Sequence, residues 1–164
     1  MPYTPILATL GYVVSEDRQQ VLLIRRDARP DDHAYGKYNG LGGKIERTED
    51  AAAGMVRELS EEAGITATEM QLRATLSWPG FGKKGEDWLA FVFLITAFEG
   101  TVVSSNPEGS LHWVSVEKLL SGELPLWPGD KYFLPLLFDT DPRPIHGVMP
   151  YENGEPTSWS FTRL

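Results

Sequence analysis

Three carboxylates carry the chemistry that the sequence offers first. Glu58, Glu61 and Glu62 stand at i, i+3 and i+4. At 3.6 residues per turn they share about 100° of one helix face. Like charges at this spacing repel by about 0.2–0.5 kcal/mol per pair. Two readings account for such a strip. One is a solvated acidic face. The other is a site for a hard divalent cation, Mg²⁺ or Mn²⁺, which several carboxylate oxygens on a rigid element suit. Spacing alone leaves both open.

The surrounding stretch must hold these acids in place. Ala52, Met55, Val56, Leu59 and Ala63 recur at helical spacing and predict an apolar stripe beside the acidic one. Thr48 is the expected N-cap, with Glu49 and Asp50 in a first turn that favours acids. Gly64 is placed as the C-cap. Ahead of the helix, Asn39-Gly40-Leu41-Gly42-Gly43-Lys44 reads as a glycine-rich loop. Its glycines let backbone approach a phosphate or metal closely.

The whole chain bounds what such a site can serve. Its 164 residues, 41% hydrophobic and 23% charged, suit a single domain over residues 1–164. A net charge of −8 argues against a nucleic-acid polymer or an anionic membrane as partner. It is compatible with a small phosphorylated substrate, because a bound metal supplies positive charge. The absence of cysteine excludes disulfides and thiol chemistry and fits a reducing compartment. The N-terminal MPYTPILATLGYVV lacks a basic leader pattern, and its apolar run is too short for a bilayer. The expected location is cytoplasmic.

Taken in order, residues 6–14 and 21–24 read as a strand pair closed by Arg25 and Arg26, either solvated or in contact with a phosphate. Residues 28–36 read as a loop. Strands are expected at 70–78, 88–98 and 109–114, and a short helix at 116–120. Trp78 and Phe81, in the turn between two of these strands, are assigned mainly to hairpin packing, with leaning over a substrate or a dimer contact as the alternatives. Residues 130–138 predict a helix that Pro135 bends or ends. Asn153-Gly154 between strand-like runs is a hairpin signal. The pattern is α/β or α+β, with helices on a mixed sheet.

The order of residues from Gly43 to Ile65 resembles the Nudix box at each of its nine defined positions. These are Gly43, Glu49, Arg57, Glu58, Leu59, Glu61, Glu62, Gly64 and Ile65. The resemblance implies a Nudix hydrolase with an α/β/α sandwich, an enzyme that cleaves a nucleoside diphosphate linked to another group. It implies that Glu58, Glu61, Glu62 and the carbonyl of Gly42 bind the catalytic Mg²⁺, with Mn²⁺ as a substitute. It further implies that Arg57 orients a box carboxylate, Glu49, and that Lys44 lies near the substrate phosphates.

Outside the box, Tyr38–Lys44 and Leu126-Trp127-Pro128-Gly129-Asp130 resemble segments of Nudix enzymes that hydrolyse oxidised purine nucleoside triphosphates such as 8-oxo-dGTP. That likeness implies that Asn39, Trp127 and Asp130 line the base pocket and that Glu108 reaches the metal site. Bland alternatives stand beside it: an N-cap for Asp130, a core or rim tryptophan for Trp127, and a loop carboxylate for Glu108. Gly129 departs from the pattern, where the relatives carry a first acid. The implied reaction is attack of a deprotonated, metal-polarised water on phosphorus, releasing a nucleoside monophosphate and pyrophosphate. Clustered acids titrate as a unit, so the sequence does not single out the base. The competing readings are an ADP-ribose or dinucleotide polyphosphate hydrolase, a nucleotide sensor without turnover, and a hydrolase of RNA 5′ ends. The complete set of box acids argues against the sensor, and the acidic surface against RNA.

Overall fold

β1 (Ile6–Val14) lies near the middle of the main sheet. The computed structural model describes residues 1–164. β1 is followed by β2 (Gln20–Arg25), β3 (Tyr38–Asn39), β4 (Leu41–Lys44) and α1 (Ala51–Ala63). Next come β5 (Thr66–Trp78), β6 (Trp88–Glu99), β7 (Ser105–Asn106), β8 (Gly109–Ser115), α2 (Val116–Ser121) and α3 (Asp130–Leu137). The chain ends with β9 (Ile145–Val148), β10 (Tyr151–Glu152), β11 (Glu155–Pro156) and β12 (Ser160–Arg163).

The main sheet runs β12-β9-β5-β6-β1-β2-β8-β7, with β3 beside β2 and β4 beside β1. It is mixed: β1 runs parallel to β6 and antiparallel to β2 and β4. Alternation along the central strands builds a core on each face. Leu10, Tyr12, Val92 and Leu94 pack with Phe133, Leu134 and Leu137 of α3. Val13, Phe93 and Ile95 pack on the other face with Met55, Leu59 and Ala63 of α1. The result is the expected α/β/α sandwich. No helix is long and apolar enough to cross a membrane.

Several local expectations change. The N-cap of α1 is Asp50, not Thr48: its carboxylate accepts the Ala53 N–H at 2.8 Å, and the first turn holds no acid. Glu49 is drawn out of the helix because Arg57 and the Glu46 N–H both bind it. Ala52 is exposed, and Gly54 joins Met55, Leu59 and Ala63 on the buried face. The glycine-rich stretch is strand rather than loop. β4 pairs with β1 so closely that a Cβ on Gly42 would collide with the Thr9 carbonyl. β5 begins at Thr66, four residues before its expected start, because its irregular, polar first half still pairs with the far end of β6. The Asn153-Gly154 turn is present, with positive φ at both residues.

α3 does not end at Pro135 but continues to Leu137. Buried apolar residues hold its last turn, and Arg73 of β5 caps it. Arg73, 3% exposed, donates to the carbonyls of Leu137 and Leu136 (both 3.1 Å) and to Asp139 (3.2 Å). Arg73→Met keeps the volume and removes the donors. It is expected to lower stability by about 2–3 kcal/mol in urea denaturation, the scale of buried acceptors left unmatched. A loss below about 0.5 kcal/mol would show that the cap contributes nothing measurable.

Candidate active site

α1 ends in a left-handed Gly64, whose N–H returns to the Ser60 carbonyl, so the last turn that carries the acids is fixed. Arg57 organises the acids around it. Its guanidinium grips Glu49 in a fork, Nη2 to Oε1 at 2.7 Å and Nε to Oε2 at 3.0 Å. It also donates to Glu58 (3.1 Å), Glu61 (3.2 Å) and the carbonyl of Lys44 (3.1 Å). The Arg57 hydrogen bonds hold the Glu49 carboxyl down at about 2. One arginine thereby ties α1 to the preceding loop and to the end of β4.

The three glutamates do not share one environment. Glu58 lies against the β4 backbone, where a Cβ on Gly43 would come within 2.5 Å of its Oε1. Glu62 is pushed up to about 9, first by burial, then by its hydrogen bond with Glu58 and by the charges of Glu108 and Glu58. Glu61 points away: its side chain is 59% exposed and pairs with Arg57. No three acidic side chains stand together as a ready ligand set. Glu108 is brought in by the β7–β8 turn. Asn106 donates to the Glu62 carbonyl (2.9 Å) and accepts the Glu108 N–H (2.9 Å), docking that turn on the end of α1.

A cavity of about 200 Å³ opens from these acids. Glu62, Glu108, Gly42 and Gly43 line it, together with Asn39, Trp78, Phe81, Trp127, Asp130 and Tyr151. Asn39 accepts the Gly40 N–H on its amide oxygen (3.0 Å), which orients the amide and leaves its two N–H donors free of that bond. Asp130 is buried but does not cap α3; Gly129 occupies the N-cap position without a side-chain bond. Burial pushes the Asp130 carboxyl up to about 7, and the Trp127 backbone opposes this. Trp127 meets Phe81 edge-on at 5.0 Å, and Lys37 Nζ sits 5.2 Å from its ring centre. The Trp127 ring is therefore part of a packed wall. Lys44 lies outside the cavity lining, exposed, with Nζ 5.8 Å from the ring centre of Trp88, which does line it.

Residues 5–137 match the NUDIX domain. The chain belongs to the Nudix family. It is 29% identical over 142 residues, 84% of its own length and 83% of the relative's, to the uncharacterised Nudix hydrolase YvcI of Bacillus subtilis. It is 30% identical over 102 residues, 62% of this chain and 63% of the relative, to the oxidized purine nucleoside triphosphate hydrolase of Mus musculus. The crystal structure of a MutT protein from Bacillus halodurans superposes with a TM-score of 0.79 at 29% identity, covering 95% of this chain and 97% of that one. This Nudix hydrolase thus shares sequence with the mouse triphosphate hydrolase and both sequence and fold with a MutT protein.

The Nudix acids fit a divalent cation. Glu62 shares a hydrogen bond with Glu58 and feels the charge of Glu108, and burial with these neighbours makes Glu62 hold a proton. A hard cation satisfies such oxygens without a proton. The pair that engages Glu61 is an exposed i,i+4 contact, worth about 0.3–0.5 kcal/mol, so Glu61 is held only weakly where it is.

The cavity also contains residues that sequence reasoning missed, Trp88 and Tyr151. Trp78 and Phe81 pack on the core as expected of a hairpin, and both also face the cavity, the side on which they could lean over a substrate. The indole N–H groups of Trp78 and Trp88 are buried with no protein acceptor, and both side chains line the cavity. Arg26 lines it as well, held by Asp32 at 2.8 Å rather than solvated. The signal for Trp78 and Phe81 was a turn unusually rich in aromatics; for Trp88 and Tyr151 there was none.

Proposed function

We propose that this Nudix hydrolase converts a nucleoside triphosphate to a nucleoside monophosphate and pyrophosphate, with an oxidised purine such as that of 8-oxo-dGTP preferred over its normal counterpart. One observation carries the reading: a single cavity is lined both by the carboxylates Glu62 and Glu108 and by aromatic rings with Asn39 and Asp130. A nucleotide has those two chemistries at its two ends. The similarity to the mouse oxidized purine nucleoside triphosphate hydrolase supports the substrate class.

In this reading Glu58, Glu61, Glu62 and the Gly42 carbonyl would hold Mg²⁺, with Glu108 beside them. A cation held there would supply charge neutralisation to the phosphates and a lowered pKa to the attacking water. Arg57 keeps Glu58 aimed at the site while its fork fixes Glu49. A carboxylate of the cluster takes the proton from the water as its oxygen attacks phosphorus in line, and pyrophosphate leaves. Lys44 at the rim lies near the departing phosphates. Trp127 and Phe81 wall the base, while Asn39 donates to it and Asp130 donates when protonated or accepts when ionised.

The test is turnover of a panel with Mg²⁺ and identified products: 8-oxo-dGTP, dGTP, ADP-ribose and diadenosine polyphosphate. The expected result is pyrophosphate release, fastest from 8-oxo-dGTP. Preference for ADP-ribose or the dinucleotide would remove the substrate assignment and leave the family membership intact.

A further inference from the structure

Gly129 is buried beside Asp130, and the space a side chain would take there is already filled. A Cβ on Gly129 would collide with the Tyr151 hydroxyl and the Met149 sulfur. Both residues come from the segment after the family-matched residues 5–137. That segment is anchored rather than loose. Its β9 joins the main sheet parallel to β5, and the Tyr151 N–H donates to the Pro79 carbonyl at 2.7 Å. Gly80 lies so close that a Cβ there would be 2.6 Å from the Tyr151 carbonyl oxygen. The Phe81 ring meets the Tyr151 ring edge-on at 4.9 Å, which sets its plane.

We propose that Tyr151 is a specificity-determining residue of the nucleotide cavity, its hydroxyl reading the purine edge beside Asp130 where Gly129 offers no side chain. The inference rests on the nucleoside triphosphate reading above. Tyr151 is 9% exposed and lines the cavity with Asp130. Burial, then the nearby Asp130 charge, raises the Tyr151 phenol well above its ordinary value, so it stays a neutral hydroxyl. Oxidation of a purine at C8 turns N7 from acceptor to donor and adds an acceptor oxygen. A neutral hydroxyl can donate or accept. Fixed between the Gly129 backbone and the Phe81 ring, it pairs better with one edge than with the other, and a buried polar group left unmatched discriminates strongly.

The experiment compares steady-state kcat/KM for 8-oxo-dGTP and dGTP, with Mg²⁺, in the unmodified protein, Tyr151→Phe, Gly129→Ala and the double variant. Tyr151→Phe keeps the ring and the wall and removes only the hydroxyl. It is expected to cut the 8-oxo-dGTP:dGTP ratio at least about fivefold, the scale of one buried hydrogen bond. Gly129→Ala pushes the hydroxyl aside and should also lower the ratio, but much less so in the Tyr151→Phe background. A ratio unchanged within twofold in Tyr151→Phe would make Tyr151 a wall only and overturn the proposal, with the nucleoside triphosphatase reading untouched. Should Tyr151→Phe fail to fold, Gly129→Ala decides: an unchanged ratio there overturns it. An unmodified protein that turns over neither triphosphate overturns both readings together.

Discussion

Glu62→Gln is expected to lower kcat with Mg²⁺ by at least about 100-fold, the scale of removing a catalytic acid–base or metal contact. Glu62 lines the cavity, shares a hydrogen bond with Glu58 and feels the charge of Glu108. Glu61→Gln should fall comparably, although its side chain now pairs with Arg57. That pair is weak and exposed, and Arg57 keeps Glu49, Glu58 and the Lys44 carbonyl when Glu61 leaves. The same substitutions should behave differently without metal. Burial and the neighbouring acids make Glu62 take up a proton on folding, a cost that Gln escapes, so Glu62→Gln should leave the metal-free melting temperature unchanged or raised. Mg²⁺ should raise the melting temperature of the unmodified protein, because it binds the folded state preferentially. Kinetics and melts with and without Mg²⁺ read all three effects. Near-normal rates in both variants would remove the metal assignment, and a large metal-free loss of stability would make the acids structural.

The parts of this site that sequence exposed are those where one short segment supplies the chemistry. The spacing of Arg57, Glu58, Glu61 and Glu62 sets their common helix face, and Gly64 ends that helix as expected. What the spacing did not contain is rotamer and depth. Glu62 is buried and Glu61 exposed, because β4 and the β7–β8 turn cover only one side of the acidic strip. Long-range assembly was less legible still. Trp88 reads as an ordinary strand residue until β6 pairs it with Trp78 at the cavity. Tyr151 reads as a hairpin flank until Gly129 leaves room for its hydroxyl. Thr48 and Asp50 are both good caps by composition, and Arg57 decides between them by extracting Glu49 from the helix.

Asp130 should make both stability and base choice depend on pH. Burial raises its folded-state pKa from 3.8 to about 7. A carboxyl raised in this way binds its proton more tightly when folded. Its stabilising contribution is therefore complete below about pH 4 and is lost as pH rises through about 7. Asp130→Asn is neutral throughout and escapes that loss. Relative to the unmodified protein, the variant should gain up to about 4 kcal/mol between pH 4 and pH 8.5 in urea denaturation, whatever its constant offset. Parallel stability curves for the two proteins would show that Asp130 is already ionised in the folded state at low pH. The same proton bears on recognition. Below about pH 7 the Asp130 carboxyl can donate to a purine edge; above it, it only accepts. The 8-oxo-dGTP:dGTP ratio of kcat/KM should change across that range in the unmodified protein and stay flat in Asp130→Asn. Trp127→Ala should instead weaken both nucleotides alike, because a ring face does not distinguish N7 from N7–H. A pH-independent ratio in the unmodified protein would remove Asp130 as a reader and leave Asn39 and Tyr151 as the polar groups that choose the base.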